Sequence, residues 1–534
     1  MRDIHFPGRS VVMSRNGMVA TSHPLATEVG LSILRQGGNA MDAAIAAGAV
    51  QCVVEPGSTG IGGDCFLLYH EARTGRLHGL NGSGRAPAAA TPQAYRRLGA
   101  AEMPDSGILS ATVPGAIDAW QTAVDRFGSR TLAVLLAPAI EFAADGYPVT
   151  AVVARAWQRA EAALAARPAS AKALLVNGRA PAVGTIHRQP ALANSLRLIA
   201  REGKDAFYRG AIAEEIVRYS RAEGGLLELD DLASHRSDWV EPIATNYRGY
   251  EIFELPPNGQ GMAALLTLNT LEPSTLASLE HLSPEYLHLF IEAFKLAIAE
   301  RDAHLADPEF YRAPIESLLN KEFAAQQYRR IDPRRAAAYP LPSVVRAHRD
   351  TVYLCVVDKD RNAASYINSL YHGFGSKCVA GDSGVLLHNR GFGFVLHENH
   401  PNCIAPRKRP KHTIIPAMVY RDGKPLLVFG VMGGEYQAMG HAYVLSNWID
   451  FGMDLQEAID APRFLPQRGS VVVERGIPHA TREQLRGLGH SVVETELPWG
   501  GGQASVPARP TRDGRAISLA SNAKRQWSRW VSNP

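Results

Sequence analysis

The chain has 534 residues, 46% of them hydrophobic and 20% charged, with 56 Lys and Arg against 52 Asp and Glu. This is ordinary globular composition with length enough for a large core, so whole-chain disorder and a disulfide- or metal-stapled miniprotein are excluded. The net charge of +4 gives nucleic-acid binding no bulk support, and 48 Gly and 34 Pro without a period exclude a collagenous or low-complexity fibre.

The opening MRDIHFPGRSVVMSRNGMVATSHP lacks the apolar core of a signal peptide. No stretch approaches the roughly 18 apolar residues of a membrane span. A soluble, cytoplasmic protein without a membrane partner is expected. Cys52, Cys65, Cys355, Cys378 and Cys403 form no CxxC or CxH cluster. They are expected to be buried thiols rather than disulfides or zinc ligands.

In chain order, GMVATSH reads as a strand, and PLATEVGLSILRQGGNAMDAAIAAGAVQCVV as two helices broken at Gly37 and Gly38. The glycine-rich GSTGIGG then feeds an apolar strand, and 64–80 reads as a hairpin. Residues 90–240 are mostly helical, and 166–190 is the weakest stretch for packing. Residues 249–271 suggest strand, turn and helix, and 284–308 a long amphipathic helix. Residues 325–350, with six arginines and three prolines, read as an extended, solvated segment. TVYLCVVD follows as a buried strand that DKDRN turns back into AASYINSL. A further hairpin, HTIIPAMVY–RDGK–PLLVFGVM, ends at Gly433–Gly434, where a helix begins. No repeat of 20–50 residues is present.

The junction at Asp350–Thr351 is the first chemical candidate. A cut there would give Thr351 a free α-amine beside its hydroxyl, at the mouth of a core strand. An unperturbed α-amino group titrates at about 7.7–8. It can take the hydroxyl proton, which activates an N-terminal threonine as a nucleophile. Gly433 and Gly434, between strand and helix, present adjacent N–H groups that can hold an oxyanion. GSTGIGG lacks the GK[ST] ending of a P-loop and does not match GxGxxG, so it is a weak nucleotide motif. GDSG at 381–384 makes Ser383 a candidate serine nucleophile, but no matching histidine motif precedes it. His397 and His400 lack the HExxH spacing and a third ligand, so a polar loop is the better reading.

Taken together, these stretches resemble the γ-glutamyltranspeptidase family of N-terminal-nucleophile amidohydrolases. The ordered matches include GGNAMDAAIAA (37–47), VVEPGSTGIGGDCF (53–66), VPGAIDAW (113–120), LAPAIEFAADGYPV (136–149), ELPPNGQG (254–261) and EAFKLAIAERDAHLADP (292–308). They continue through DTVYLCVVDKDRNAASY (350–366), VAGDSGVLLHN (379–389), KRP (408–410), MGG (432–434) and AIDAPRF (458–464). The resemblance implies an α+β fold, a four-layer αββα sandwich. It also implies a precursor that cuts itself between Asp350 and Thr351. The products would be a large chain, 1–350, and a small chain, 351–534, forming one αββα unit and a heterodimer, with a dimer of heterodimers left open. Thr351 falls on the family's nucleophile, Ser369 on its supporting hydroxyl, and Gly433 and Gly434 on its oxyanion glycines. No metal or organic cofactor is expected.

The departures bear on substrate. Where the family holds the glutamyl α-carboxylate with arginine, this chain has Ser83, with Arg85 two residues on. Where the family binds the α-amine with an acidic residue, it has Gly393. The family's double serine is His412–Thr413, an asparagine near the supporting hydroxyl is Tyr371, and the second threonine is Val352. Charge-assisted contacts are worth about 1.5–3 kcal/mol each, so losing both clamps should cost glutamyl recognition several decades. LNGSGRAP, DTVYL, MGGEYQ and GH resemble the acylase-like branch, which includes oxamate amidohydrolases and cephalosporin acylases. Arg85 and Arg390 are then candidates to meet a substrate carboxylate. Gln437 and His441, four apart on one helix face, are candidate pocket residues. The expected activity is hydrolysis of the amide of a small carboxylate-bearing molecule, with oxamate first, glutaryl or cephalosporin side chains next and γ-glutamyl compounds after. Acyl transfer, a silent small-molecule binder and a Ser383 hydrolase are the rival readings.

Overall fold

The computed structural model describes residues 9–338, 351–467, 469–496, 500–507 and 517–523. Asp350 and the rest of 339–350 lie outside the described residues.

Among the described residues, thirteen strands build two large sheets. Before the junction come β1 (Val12–Ser14), β2 (Met18–Ala20), β3 (Asp64–Glu71), β4 (Arg76–Gly82), β5 (Asp238–Val240), β6 (Ile243–Tyr247) and β7 (Tyr250–Glu254). After it come β8 (Val352–Val357), β9 (Ala363–Ser369), β10 (Ala417–Arg421), β11 (Lys424–Met432), β12 (Gly501–Val506) and β13 (Ile517–Ala523). One sheet has the order β2-β8-β9-β3-β4-β5 and the other β1-β13-β12-β11-β10-β7-β6. Both sheets therefore interleave strands from the two sides of residue 350. The expected hairpins 64–80, 351–370 and 412–432 are all present.

The sheets face each other through Phe66, Leu68, Tyr353, Cys355, Ile367, Met418, Val428 and Met432, all buried. The alternate residues of the first sheet, Leu67, Tyr69, Leu354, Val356 and Tyr366, pack on α1 (Pro24–Arg35) and α2 (Ala40–Val54). The other outer face, through Ile252, Val419, Leu427, Phe429 and Val431, packs on α3 (Gly261–Leu271), α4 (Pro284–His304) and α5 (Tyr436–Ile449). This is the αββα sandwich, and strand alternation generates it directly. α2 is buried on every side, and Asn39 and Asp42 close its start as a capping box. Among the described residues no helix is long and apolar enough to cross a membrane. The five cysteines are buried and free of disulfides.

Gly430 sets the spacing between the sheets, because a Cβ there would lie 2.4 Å from the Tyr353 ring. Gly430→Ala should cost about 1–3 kcal/mol by overpacking. A lower denaturant midpoint would register it, and an unchanged midpoint would show that the sheets separate without penalty.

Two expectations are corrected. The helix over 284–304 is not amphipathic in the ordinary sense, since His288, Glu292, Lys295 and Arg301 are buried. Nor is the segment from 325 extended throughout: Lys321–Arg329 is helical, with Ala324 and Gln327 buried. Buried polar groups of α4 hold the backbone beyond that helix. His288 Nε2 donates to Asp332 O at 2.8 Å, and Ala337 N donates to Glu292 Oε2 at 3.1 Å. His288 Nδ1 lies 2.8 Å from His490 Nε2, across the 350/351 junction in sequence. His288, Glu292 and His490 have cation-ligating chemistry, but the Lys295 ammonium, 2.6 Å from Glu292 Oε1, already neutralises the carboxylate.

Candidate active site

Thr351 precedes β8, which lies between β2 and β9. The register pairs Val352 with Asn368, so Thr351 comes opposite Ser369. Thr351 is buried, and its Oγ1 shares a 3.0 Å hydrogen bond with Ser369 Oγ. Tyr371 N donates to Ser369 Oγ at 2.9 Å, fixing that hydroxyl. The two expected hydroxyls are thus brought together.

Gly433 and Gly434 leave β11 with φ of 131° and 59°, and Gly433 holds a conformation that side-chain-bearing residues rarely adopt. Their carbonyls accept from Tyr436 N at 3.1 Å and Gln437 N at 3.2 Å. Gln260 Nε2 donates to Gly434 O at 3.1 Å and to Thr413 O at 2.8 Å. Arg301 Nη1 donates to Gln260 Oε1 at 2.8 Å and pairs with Glu435. The glycine turn is thereby tied to the segment carrying Thr413.

Arg390 is the most informative side chain. It is fully buried, with its guanidinium carbon 4.0 Å from the centre of the Tyr371 ring. Nη1 donates to Thr413 Oγ1 at 3.0 Å. Nε and Nη2, the two parallel donors of one edge, have no partner among the described residues. Burial pulls its pKa down to about 10, against the opposing pull of Tyr371, Asp64 and Glu435, so it is a cation at neutral pH. A buried guanidinium with one edge unpartnered suits a carboxylate, bound bidentately.

Arg85, the other arginine expected to meet substrate, is corrected. Its guanidinium lies 2.6 Å from Glu309, 3.6 Å from Asp307 and 3.8 Å from Asp238. Nη1 also donates to Arg407 O at 3.1 Å, so this fork already holds protein partners. Ser83 is committed as well: its Oγ donates to Asn81 Oδ1 at 2.7 Å and accepts from Asn258 Nδ2 at 3.1 Å. His441 bridges Glu254 Oε1 at 2.6 Å and Val431 N at 3.2 Å, which occupies both ring nitrogens. Gln437 accepts from Ile415 N at 3.2 Å and keeps a buried Nε2 with no partner among the described residues. Ser383 donates to Ala380 O at 2.6 Å within a turn.

Beneath Arg390 lies a group that motif reading alone misses. Asp64 is fully buried and accepts from Gly84 N and Gly115 N, each at 3.1 Å. His412 Nε2 lies 3.0 Å from its Oδ2, and His388 Nε2 3.8 Å from its Oδ1. Burial alone would raise the Asp64 pKa, but His388, His412 and Arg390 reverse this and hold it well below the usual carboxylate range. Burial and the Arg390 charge push His412 down to about 3, so it is neutral. The only local signal for Asp64 is an acidic residue after a glycine run. The pairing of Ser369 with Asp64 is what brings it to the site.

Comparison with known proteins agrees with this architecture. Residues 26–526 match the family model described as Gamma-glutamyltranspeptidase. The chain is 39% identical over 527 residues to the glutathione hydrolase-like YwrD proenzyme of Bacillus subtilis, covering 95% of this chain and 99% of that one. It is 36% identical over 492 residues to the oxamate amidohydrolase proenzyme of Klebsiella pneumoniae, covering 90% and 92%. A crystal structure of cephalosporin acylase from Bacillus halodurans superposes with a TM-score of 0.90 at 38% identity, over 98% of this chain and 97% of that one. The chain belongs to the γ-glutamyltranspeptidase family and is an N-terminal-nucleophile hydrolase of amide bonds, made as a proenzyme that cleaves itself.

Proposed function

We propose that the protein is a threonine amidohydrolase for small carboxylate-bearing amides, with oxamate the first candidate, acting through an acyl-enzyme on Thr351. The observation that carries this reading is the Nε–Nη2 edge of buried Arg390, unpartnered among the described residues, beside the ring of Tyr371, whose amide donates to Ser369 Oγ, the partner of Thr351 Oγ1. In the precursor, Thr351 Oγ1 attacks the Asp350 carbonyl, giving an ester that water opens. The released α-amine then takes the hydroxyl proton as Thr351 attacks the substrate amide, and returns it to the leaving nitrogen. Ser369 orients the nucleophile. The Gly433 and Gly434 amides, at the turn between β11 and α5, hold the tetrahedral oxyanion. Water releases the acyl group. The two chains stay together as a heterodimer because both sheets contain strands of each.

Gly433→Ala cannot keep φ at 131° and should turn these amides away. A fall in kcat of about 10²–10³, as for a lost oxyanion donor, is expected from steady-state kinetics. An effect confined to KM would make the glycines a simple turn.

A γ-glutamyl donor is the second reading. It is favoured by a buried carboxylate oxygen, Glu435 Oε1, that accepts no hydrogen bond among the described residues and lies 3.6 Å from Lys411 Nζ. That oxygen would suit a substrate ammonium. Values of kcat/KM on oxamate, glutaryl p-nitroanilide and γ-glutamyl p-nitroanilide, measured side by side, decide the matter. A preference for oxamate or the glutaryl amide supports the proposal, and a preference for the γ-glutamyl amide overturns it.

A further inference from the structure

We propose that Asp64 is the positioning residue for carboxylate recognition, a buried anion that sets Arg390 in place through His388 and His412. The inference rests on Arg390 being the carboxylate clamp.

Its basis is connectivity. His388 Nδ1 accepts from the Arg390 backbone N–H at 2.9 Å, so the proton of the neutral ring sits on Nε2. That N–H faces Val113 O at 3.4 Å and Asp64 Oδ1 at 3.8 Å. His412 Nδ1 faces Ile414 N at 3.4 Å, which puts its proton on Nε2 as well, 3.0 Å from Asp64 Oδ2. Residue 388 leads into Arg390, and residue 412 into Thr413, whose hydroxyl accepts from Arg390 Nη1. One carboxylate therefore holds the 412 segment by a hydrogen bond and faces the ring of the 388 segment, the two segments that fix the guanidinium. It does so across the cut, since Asp64 precedes residue 350 and the other four residues follow it.

Charge points the same way. A guanidinium buried with one hydrogen bond needs a nearby anion. Two carboxylates act on Arg390, Asp64 and Glu435. Glu435 is already paired with Arg301 and lies near Lys411. Among the described residues, Asp64 is met by backbone amides and neutral imidazoles, so its charge remains to balance Arg390. It also stands opposite Ser369 in the β9–β3 register, joining the clamp to the strand that supports the nucleophile.

Asp64→Asn isolates the charge. Its Oδ1 can keep the Gly84 and Gly115 amides, and its Nδ2 can meet a His412 ring that changes tautomer. The probes are glutaryl p-nitroanilide and pentanoyl p-nitroanilide, which differ by a carboxylate in place of a methyl group. The ratio of their kcat/KM values should fall about tenfold or more, carried by KM for the glutaryl probe. An unchanged ratio, or a uniform fall in kcat on both probes, overturns the proposal. Self-cleavage reports that the variant has folded. If Asp64→Asn stays uncut, His412→Asn keeps an acceptor for Ile414 N–H, removes one arm to Asp64 and is read by the same ratio. Arg390→Gln separates the two ideas: if it spares the ratio, the clamp reading fails; if it lowers the ratio while both other variants spare it, only the role of Asp64 fails.

Discussion

Thr351→Ala is expected to yield a single uncut chain with amidase activity at least about four decades below wild type, as when other nucleophiles are removed. The hydroxyl lies at the edge of a buried strand, 3.0 Å from Ser369 Oγ, with Ser369 fixed by Tyr371 N. Both reactions need that hydroxyl: the attack that opens the precursor, and the attack on substrate. Only the second needs the α-amine, which does not exist before the cut. Thr351→Ser should therefore still cut and retain activity. Denaturing electrophoresis and amide turnover read both variants. Normal cutting in Thr351→Ala would remove the threonine from the mechanism altogether.

Arg390→Gln is expected to raise KM for carboxylate substrates by about 10- to 150-fold, equivalent to one charge-assisted contact of about 1.5–3 kcal/mol. Self-cleavage should persist, because the precursor reaction uses no substrate carboxylate. Arg390→Lys restores charge but not the two parallel donors, so it should recover only part of the loss. The wild-type pH profile carries the same signature. The α-amine must be neutral to act as base, so activity rises as pH passes its pKa, about 7.7–8 when unperturbed. Burial brings Arg390 down to about 10, and the guanidinium is charged below that value. Carboxylate binding should therefore weaken as pH rises through about 10, seen as a rising KM that Arg390→Gln abolishes. A KM indifferent to both the substitution and alkaline pH would refute the clamp.

Much of the fold was legible because strand alternation and glycine placement are local signals. The buried run after residue 350 and the glycine pair at 433–434 could be read within short windows, and both fall where expected. Residues whose roles depend on distant partners could not be read this way. Arg85 looked free to meet substrate, yet Glu309 and Asp307, far along the chain, take its guanidinium. The arginine-rich segment after 325 looked solvated, but His288 and Glu292 of α4 capture its backbone. Gln437 and His441 share a helix face as their spacing required, but Glu254 and Val431 engage only His441. Asp64 was missed because its importance comes from sheet register and from two histidines lying beyond the cut.

The central claim is that this chain becomes active by exposing Thr351 as an N-terminal residue. An intact mass spectrum of the purified wild-type protein under denaturing conditions tests it most directly. The account predicts two species whose masses match residues 1–350 and 351–534, with the smaller beginning at Thr351. A single uncut species that nevertheless hydrolyses amides, or a cut at any other bond, would contradict it.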